Sequence, residues 1–140
     1  MTAAYDPNNV FAKILRGEMG SVRVYEDDAA LAFMDIMPRV EGHTLVIPKV
    51  AARNLLDIAP DALQTFIPAV QRVARAVKKG LGAEGITLQQ FNESAGGQLV
   101  FHLHFHILPR WGGQSLRPPG GPMVPAVELE VVAAKIRAAL

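Results

Sequence analysis

Late in the chain, the seven residues Phe101-His102-Leu103-His104-Phe105-His106-Ile107, followed by Leu108, alternate apolar and imidazole side chains without a break. Successive side chains on a β-strand point to opposite faces. The run therefore predicts a strand over Val100–Leu108, with His102, His104 and His106 on one face and Phe101, Leu103, Phe105 and Ile107 on the other. A solvated polar stripe would give the same spacing, but such stripes draw on Thr, Lys, Glu or Ser. Aligned imidazoles point to chemistry instead.

Two chemistries use them. The first is metal ligation. At about 3.3–3.4 Å per residue, His102 and His106 stand roughly 13 Å apart at the backbone, too far to share one ion with nitrogens about 2 Å away. Two of the three could chelate, but no nearby Cys or acidic residue offers a further ligand, so no metal is expected. The second is nucleophilic catalysis. Neutral imidazole attacks phosphorus well and leaves well, which splits one hard displacement into two easier ones. A neighbouring histidine, cationic or neutral near pH 7, stabilises phosphate charge or carries protons.

Composition narrows the field further. The 140 residues contain no cysteine, which removes disulfides, thiolate zinc sites, iron–sulfur clusters and a cysteine nucleophile. Fourteen Lys plus Arg against 13 Asp plus Glu give a net charge of +1, without the basic excess of a nucleic-acid binder. The first residues, MTAAYDPNNVFAKILRG, lack the pattern of a secretory signal, and no apolar run approaches the roughly 18 residues of a membrane span. A cytoplasmic location is expected, with no membrane and no nucleic-acid partner.

Along the chain, Asp6-Pro7 suggests a helix start, with Val10, Phe11, Ile14 and Leu15 at helical spacing and Gly17 as the stop. Val22–Tyr25 and Ala29–Met34 read as a hairpin, and Thr44–Ile47, closed by Pro48, as a third strand. Asp61–Lys79 carries the clearest helical periodicity, with a kink or break expected at Pro68. Ile86–Phe91 reads as a strand. Residues 112–125 hold much of the Pro and Gly and read as an extended arm, and 126–140 as a final helix. This order predicts an α+β single domain over 1–140, its core about 8–111, with a mainly antiparallel sheet.

Gly80, Gly82 and Gly85 match a dinucleotide-binding fingerprint, but they follow a helix and open a strand, the reverse of what that motif requires. They read as a helix cap and turn. More relevant is Asn92-Glu93-Ser94-Ala95-Gly96-Gly97-Gln98, which enters the histidine strand. Such a loop can aim backbone N–H groups at a phosphate, and Asn92 and Gln98 add neutral donors.

The segment His102–Leu108, with the preceding Gly97-Gln98, resembles the signature of the histidine triad (HIT) superfamily of nucleotide hydrolases and transferases. The resemblance extends to Asn92, to Gly42-His43 before Ile47-Pro48-Lys49 and to Phe33-Met34-Asp35-Ile36, over about residues 8–111. It implies a sheet of about five antiparallel strands with two main helices, and a homodimer. It also implies that His104 attacks the α-phosphate of a purine nucleotide derivative, a dinucleoside polyphosphate or a phosphoramidate, to form a nucleotidyl-histidine that water hydrolyses. By the same resemblance His106 and Gln98 contact the phosphate, His102 orients the nucleophile and His43 supports it. Asp35 holds the ribose hydroxyls, Asn92 the ribose or phosphate side, and Val10, Phe11 and Ile14 line the base pocket. No cofactor is implied, and any Mg²⁺ would arrive with a polyphosphate.

Two features depart from the common pattern. Leu99 stands where many members carry Ser or Thr, and a leucine donates no hydrogen bond to a leaving group. That feature keeps a second class open, a purine-nucleotide-binding protein with little turnover; a zinc-dependent hydrolase is the third. Arg110, after His106-Ile107-Leu108-Pro109, is a candidate contact for a longer phosphate chain.

Overall fold

The computed structural model describes residues 4–140. Five strands, β1 (Arg23–Glu26), β2 (Ala30–Met34), β3 (Thr44–Pro48), β4 (Gly85–Gln89) and β5 (Phe105–Arg110), form one antiparallel sheet in the order β1-β2-β3-β5-β4. Three helices accompany it: α1 (Val10–Leu15), α2 (Pro60–Leu81) and α3 (Ala126–Arg137).

β2 and β3 are buried along their whole length, which explains why neither alternates polar and apolar residues. Ala30, Ala32, Met34 and Val46 pack with Phe66, Val73 and Val77 of α2 and with Leu129 and Ile136 of α3. Leu31, Phe33, Leu45 and Ile47 pack instead with Phe11 and Ile14 of α1. The long helices thus cover one face and α1 part of the other. Leu45 lies opposite His106 in the β3–β5 pairing, so His106 shares the α1 face. Ile107 points the other way, into the core under α2.

Local chemistry sets the ends of these elements. Asn9, rather than Asp6, caps α1: its Oδ1 accepts from Ala12 N at 2.9 Å, while Asp6 Oδ1 takes the Asn8 N–H one turn earlier. α2 runs through Pro68 without the break that the proline offered as one outcome. Pro68 is exposed, so the carbonyl it leaves without a donor faces water, while Phe66, Ala69, Val70 and Val73 hold the buried side. Gly82, φ +63°, ends α2 as its left-handed cap.

The histidine strand is shorter than its alternation implies. β5 begins at Phe105, not Val100, and continues to Arg110. Upstream, Leu103 N donates to Ala52 O at 2.8 Å, and the Leu103 side chain is buried with Ala52 and Ile58. That pairing draws residues 100–104 away from the sheet. Residues 112–125 form no regular element, but two backbone bonds tie them to the β2–β3 turn: Arg117 N to Arg39 O (2.7 Å) and Val124 N to Ile36 O (2.8 Å). Among the described residues, no helix is long and apolar enough to cross a membrane.

Candidate active site

The β2–β3 turn supplies two of the site's groups. Just beyond the paired strands, Asp35 N donates to His43 O at 3.0 Å, which sets the two residues side by side. Gly42, at φ +96°, makes the turn into His43, and a Cβ there would collide with Leu81 Cδ1. His43 Nε2 lies 2.9 Å from His106 Nδ1 on β5 and 3.4 Å from Asp35 Oδ2.

The hydrogen bonds fix where the protons sit. Arg39 N–H donates to His43 Nδ1 at 3.1 Å, so His43 carries its proton on Nε2 and passes it as a donor to His106 Nδ1. His106 in turn holds its proton on Nε2, a donor left for a ligand. His104 Nδ1 lies 2.7 Å from His102 O, a carbonyl that can only accept. The His104 proton is therefore on Nδ1 and its lone pair on Nε2. The His104 ring stands 4.9 Å from that of His106, and the Phe11 ring packs perpendicular to it at 4.9 Å.

His102 precedes β5 and turns fully into the protein, where Nε2–H donates to Pro48 O at 2.8 Å and Nδ1 accepts from the Tyr5 hydroxyl at 2.5 Å. Its link to His104 is its backbone carbonyl.

Burial holds all four imidazoles neutral near pH 7. Desolvation takes His43 down to about 3 and His102 and His106 to about 4, and it lowers His104 against the opposing pull of the His102 carbonyl. Desolvation raises Asp35, opposed by the Met37 N–H at 2.8 Å. With the ring neutral and its Nε2–H directed to His106, the 3.4 Å Asp35–His43 approach is not an ion pair.

The loop residues serve the framework here. Gln98 is buried, and its amide is saturated: Oε1 accepts from Asn54 Nδ2 (3.1 Å) and Glu93 N (2.8 Å), and Nε2 donates to Arg53 O (2.7 Å) and Val100 O (3.0 Å). Asn92 accepts from Leu55 N (3.0 Å) and exchanges two amide bonds with Gln90. Gly97 takes φ +98°, with its missing Cβ facing the Phe91 ring at 3.3 Å. Glu93 holds φ +66°, unusual for a side-chain-bearing residue, while gripped by Arg53 and Asn54. In this conformation Gln98 has no free donor for phosphate, whereas Asn92 Nδ2 commits only one of its two N–H groups, to Gln90 Oε1.

The three apolar residues assigned to a base pocket pack in one cluster, Val10 at its partly buried margin. Phe11 and Ile14 are core, whereas Val10 lines an open cavity of about 520 Å³ with Asp6, Arg53, Leu99, Val100 and Phe101. Arg110 lies at the opposite end of β5 from His106, bonded to Thr87 Oγ1 and Gln114 O. The sequence reading had no signal for Tyr5, Arg39, Arg53 or Asn54, whose partners lie up to 97 positions away.

An acidic residue does reach the histidines, which the sequence did not suggest. The ligand atoms of Asp35, His43 and His106 lie within 4.8 Å of one another. A cation there would have to strip the proton from His43 Nε2 and shift it to Nδ1, against the Arg39 N–H.

A family model, HIT domain, matches residues 16–113. The chain belongs to the HIT domain family. Protein hit of Bacillus subtilis is 40% identical over 105 residues, covering 75% of this chain and 72% of that one. An adenylylsulfatase, HINT3 of Arabidopsis thaliana, is 37% identical over 114 residues, covering 77% of this chain and 58% of the plant protein. The crystal structure of a Hit-like protein from Bartonella henselae superimposes with a TM-score of 0.92 at 58% identity, covering 98% of this chain and all of that one. The five-stranded antiparallel sheet is thus the HIT fold, here with three helices.

Proposed function

We propose that this HIT protein hydrolyses a purine nucleotide derivative, a phosphoanhydride or phosphoramidate, at its α-phosphate through a nucleotidyl-histidine intermediate. The observation that carries the proposal is the 2.7 Å bond from His104 Nδ1–H to the His102 carbonyl, which leaves Nε2 as a neutral, unprotonated nucleophile. His104 Nε2 would form the N–P bond as the bond to the leaving group breaks, with its electron pair going to the leaving group. Water then attacks phosphorus, the N–P bond breaks and the lone pair returns to Nε2; the proton that water loses goes to solvent, which supplies the one an amine leaving group takes up.

His106 Nε2–H, oriented by His43, is the donor placed to stabilise phosphoryl charge without itself being a cation. Asp35 offers Oδ2 to ribose hydroxyls, and Val10 contributes to the base-binding cavity. The relation to an adenylylsulfatase supports an adenylyl substrate with an anionic leaving group. No cofactor enters this scheme.

Rapid quench with adenosine substrates labelled at the α-phosphate, across dinucleoside polyphosphates, adenylyl sulfate and phosphoramidates, tests it. A label trapped on His104 is the expected result. His104→Ala should lower kcat by at least about a thousandfold while nucleotide affinity is retained. Nucleotide binding with neither adduct nor turnover would establish instead a binding protein of low activity, the outcome that Leu99 favours. Loss of activity on exhaustive chelation would establish a metal-dependent hydrolase.

A further inference from the structure

Tyr5 lies outside the stretch that the family model matches, yet its hydroxyl reaches the first histidine of the triad. His102 Nε2 faces the Pro48 carbonyl at 2.8 Å and must carry the proton, so Nδ1 is an acceptor and Tyr5 O–H is its donor at 2.5 Å. The two rings also pack at 66°, 5.6 Å between centroids. His102 is fully buried, so water does not substitute readily for this donor.

The turn after Tyr5 is itself anchored. Asn9 Nδ2 donates to Asp6 O (2.7 Å), Asn8 N donates to Asp6 Oδ1 (2.9 Å), and Arg16 Nη1 donates to Pro7 O (2.7 Å). Asn9 caps α1 at the same time. Tyr5 is thus held at a fixed place relative to α1, whose Phe11 packs on His104.

Residues 100–104 have no strand partner, so the His102 carbonyl is aimed by two holds: the Leu103 N–H of the same planar peptide unit, which donates to Ala52 O at 2.8 Å, and the bonds that grip the His102 ring. That carbonyl sets the direction of His104 through Nδ1–H. We propose that Tyr5 is a positioning residue of the reaction: with the tautomer of His102 set by Pro48 O, the Tyr5 hydroxyl holds one orientation of the His102 ring, and through it helps the His102 carbonyl aim His104 Nε2. This rests on His104 being the nucleophile proposed above.

Tyr5→Phe in the full chain removes the donor and keeps the ring. Two measurements are paired. In protein labelled with ¹⁵N at histidine, proton–nitrogen correlation spectra report which ring nitrogen carries each proton without any substrate. The wild type should show His102 protonated at Nε2 with a hydrogen-bonded Nδ1, and His104 protonated at Nδ1. The variant should show the His102 Nδ1 signal moved toward that of a free acceptor and His104 exchanging between tautomers. In steady-state assays kcat should fall about tenfold to a hundredfold with KM unchanged, since a misplaced reacting group costs rate rather than binding. Unchanged spectra, or changed spectra with unchanged kcat, overturn the proposal. A wild type without turnover on any substrate would instead defeat the hydrolase reading, and the spectra would still decide whether Tyr5 fixes His102.

Discussion

Each imidazole of the site has one proton and one lone pair, and the surrounding bonds leave little choice over which nitrogen carries which. Backbone groups set most of it: the Arg39 N–H for His43, the Pro48 carbonyl for His102 and the His102 carbonyl for His104. The neutral state of these rings links stability to pH. His43, His102 and His106 resist protonation down to about 3, 4 and 4, whereas unfolded histidine titrates near 6.5. Between those values the unfolded chain binds protons that the fold refuses, so stability is full above about pH 6.5 and falls as pH drops toward 4. Each such group contributes a slope of about 1.4 kcal/mol per pH unit. Calorimetry from pH 8 to 4 should show Tm falling steeply below pH 6.5; a flat profile would mean the rings are not held neutral. The lowered His104 should also keep the nucleophile active below pH 6.5, with kcat/KM declining only at more acidic pH.

At the scale of elements, α2 and β5 show how far a local pattern can be trusted. The apolar period of α2 was legible because one face of 22 residues meets the sheet. Pro68 does not break that helix, because it lies on the exposed side where only one backbone bond is lost. Restoring an N–H with Pro68→Ala should stabilise the protein by about 2 kcal/mol, read from urea denaturation. Destabilisation would show that the proline shapes a bend the packing needs. β5 teaches the opposite lesson. Alternation across 101–107 described a strand, but β3 pairs only with residues 105–107, and the Leu103 bond to Ala52 claims the rest.

For the whole molecule, the sheet leaves β4 as an edge strand, with Leu88 about half exposed. An open apolar edge invites pairing. We propose that a homodimer forms along it, as the family resemblance suggested, with two sheets joined. Leu88→Asp should shift the species seen by sedimentation velocity from dimer to monomer; a wild-type monomer at assay concentrations would overturn the dimer.

Much could be learned from the sequence alone. The α+β order, the refusal of the glycine fingerprint and the choice of histidine chemistry follow from periodicity and composition, because these are properties of neighbouring residues. The tertiary structure decided what depends on distant ones. It buried His102, spent the whole amide of Gln98 on the loop and brought Asp35 beside His43. It also placed Tyr5, 97 residues away, on the first histidine of the triad. A hydrogen bond across that separation leaves no periodic trace, since only the closed fold brings donor and acceptor together.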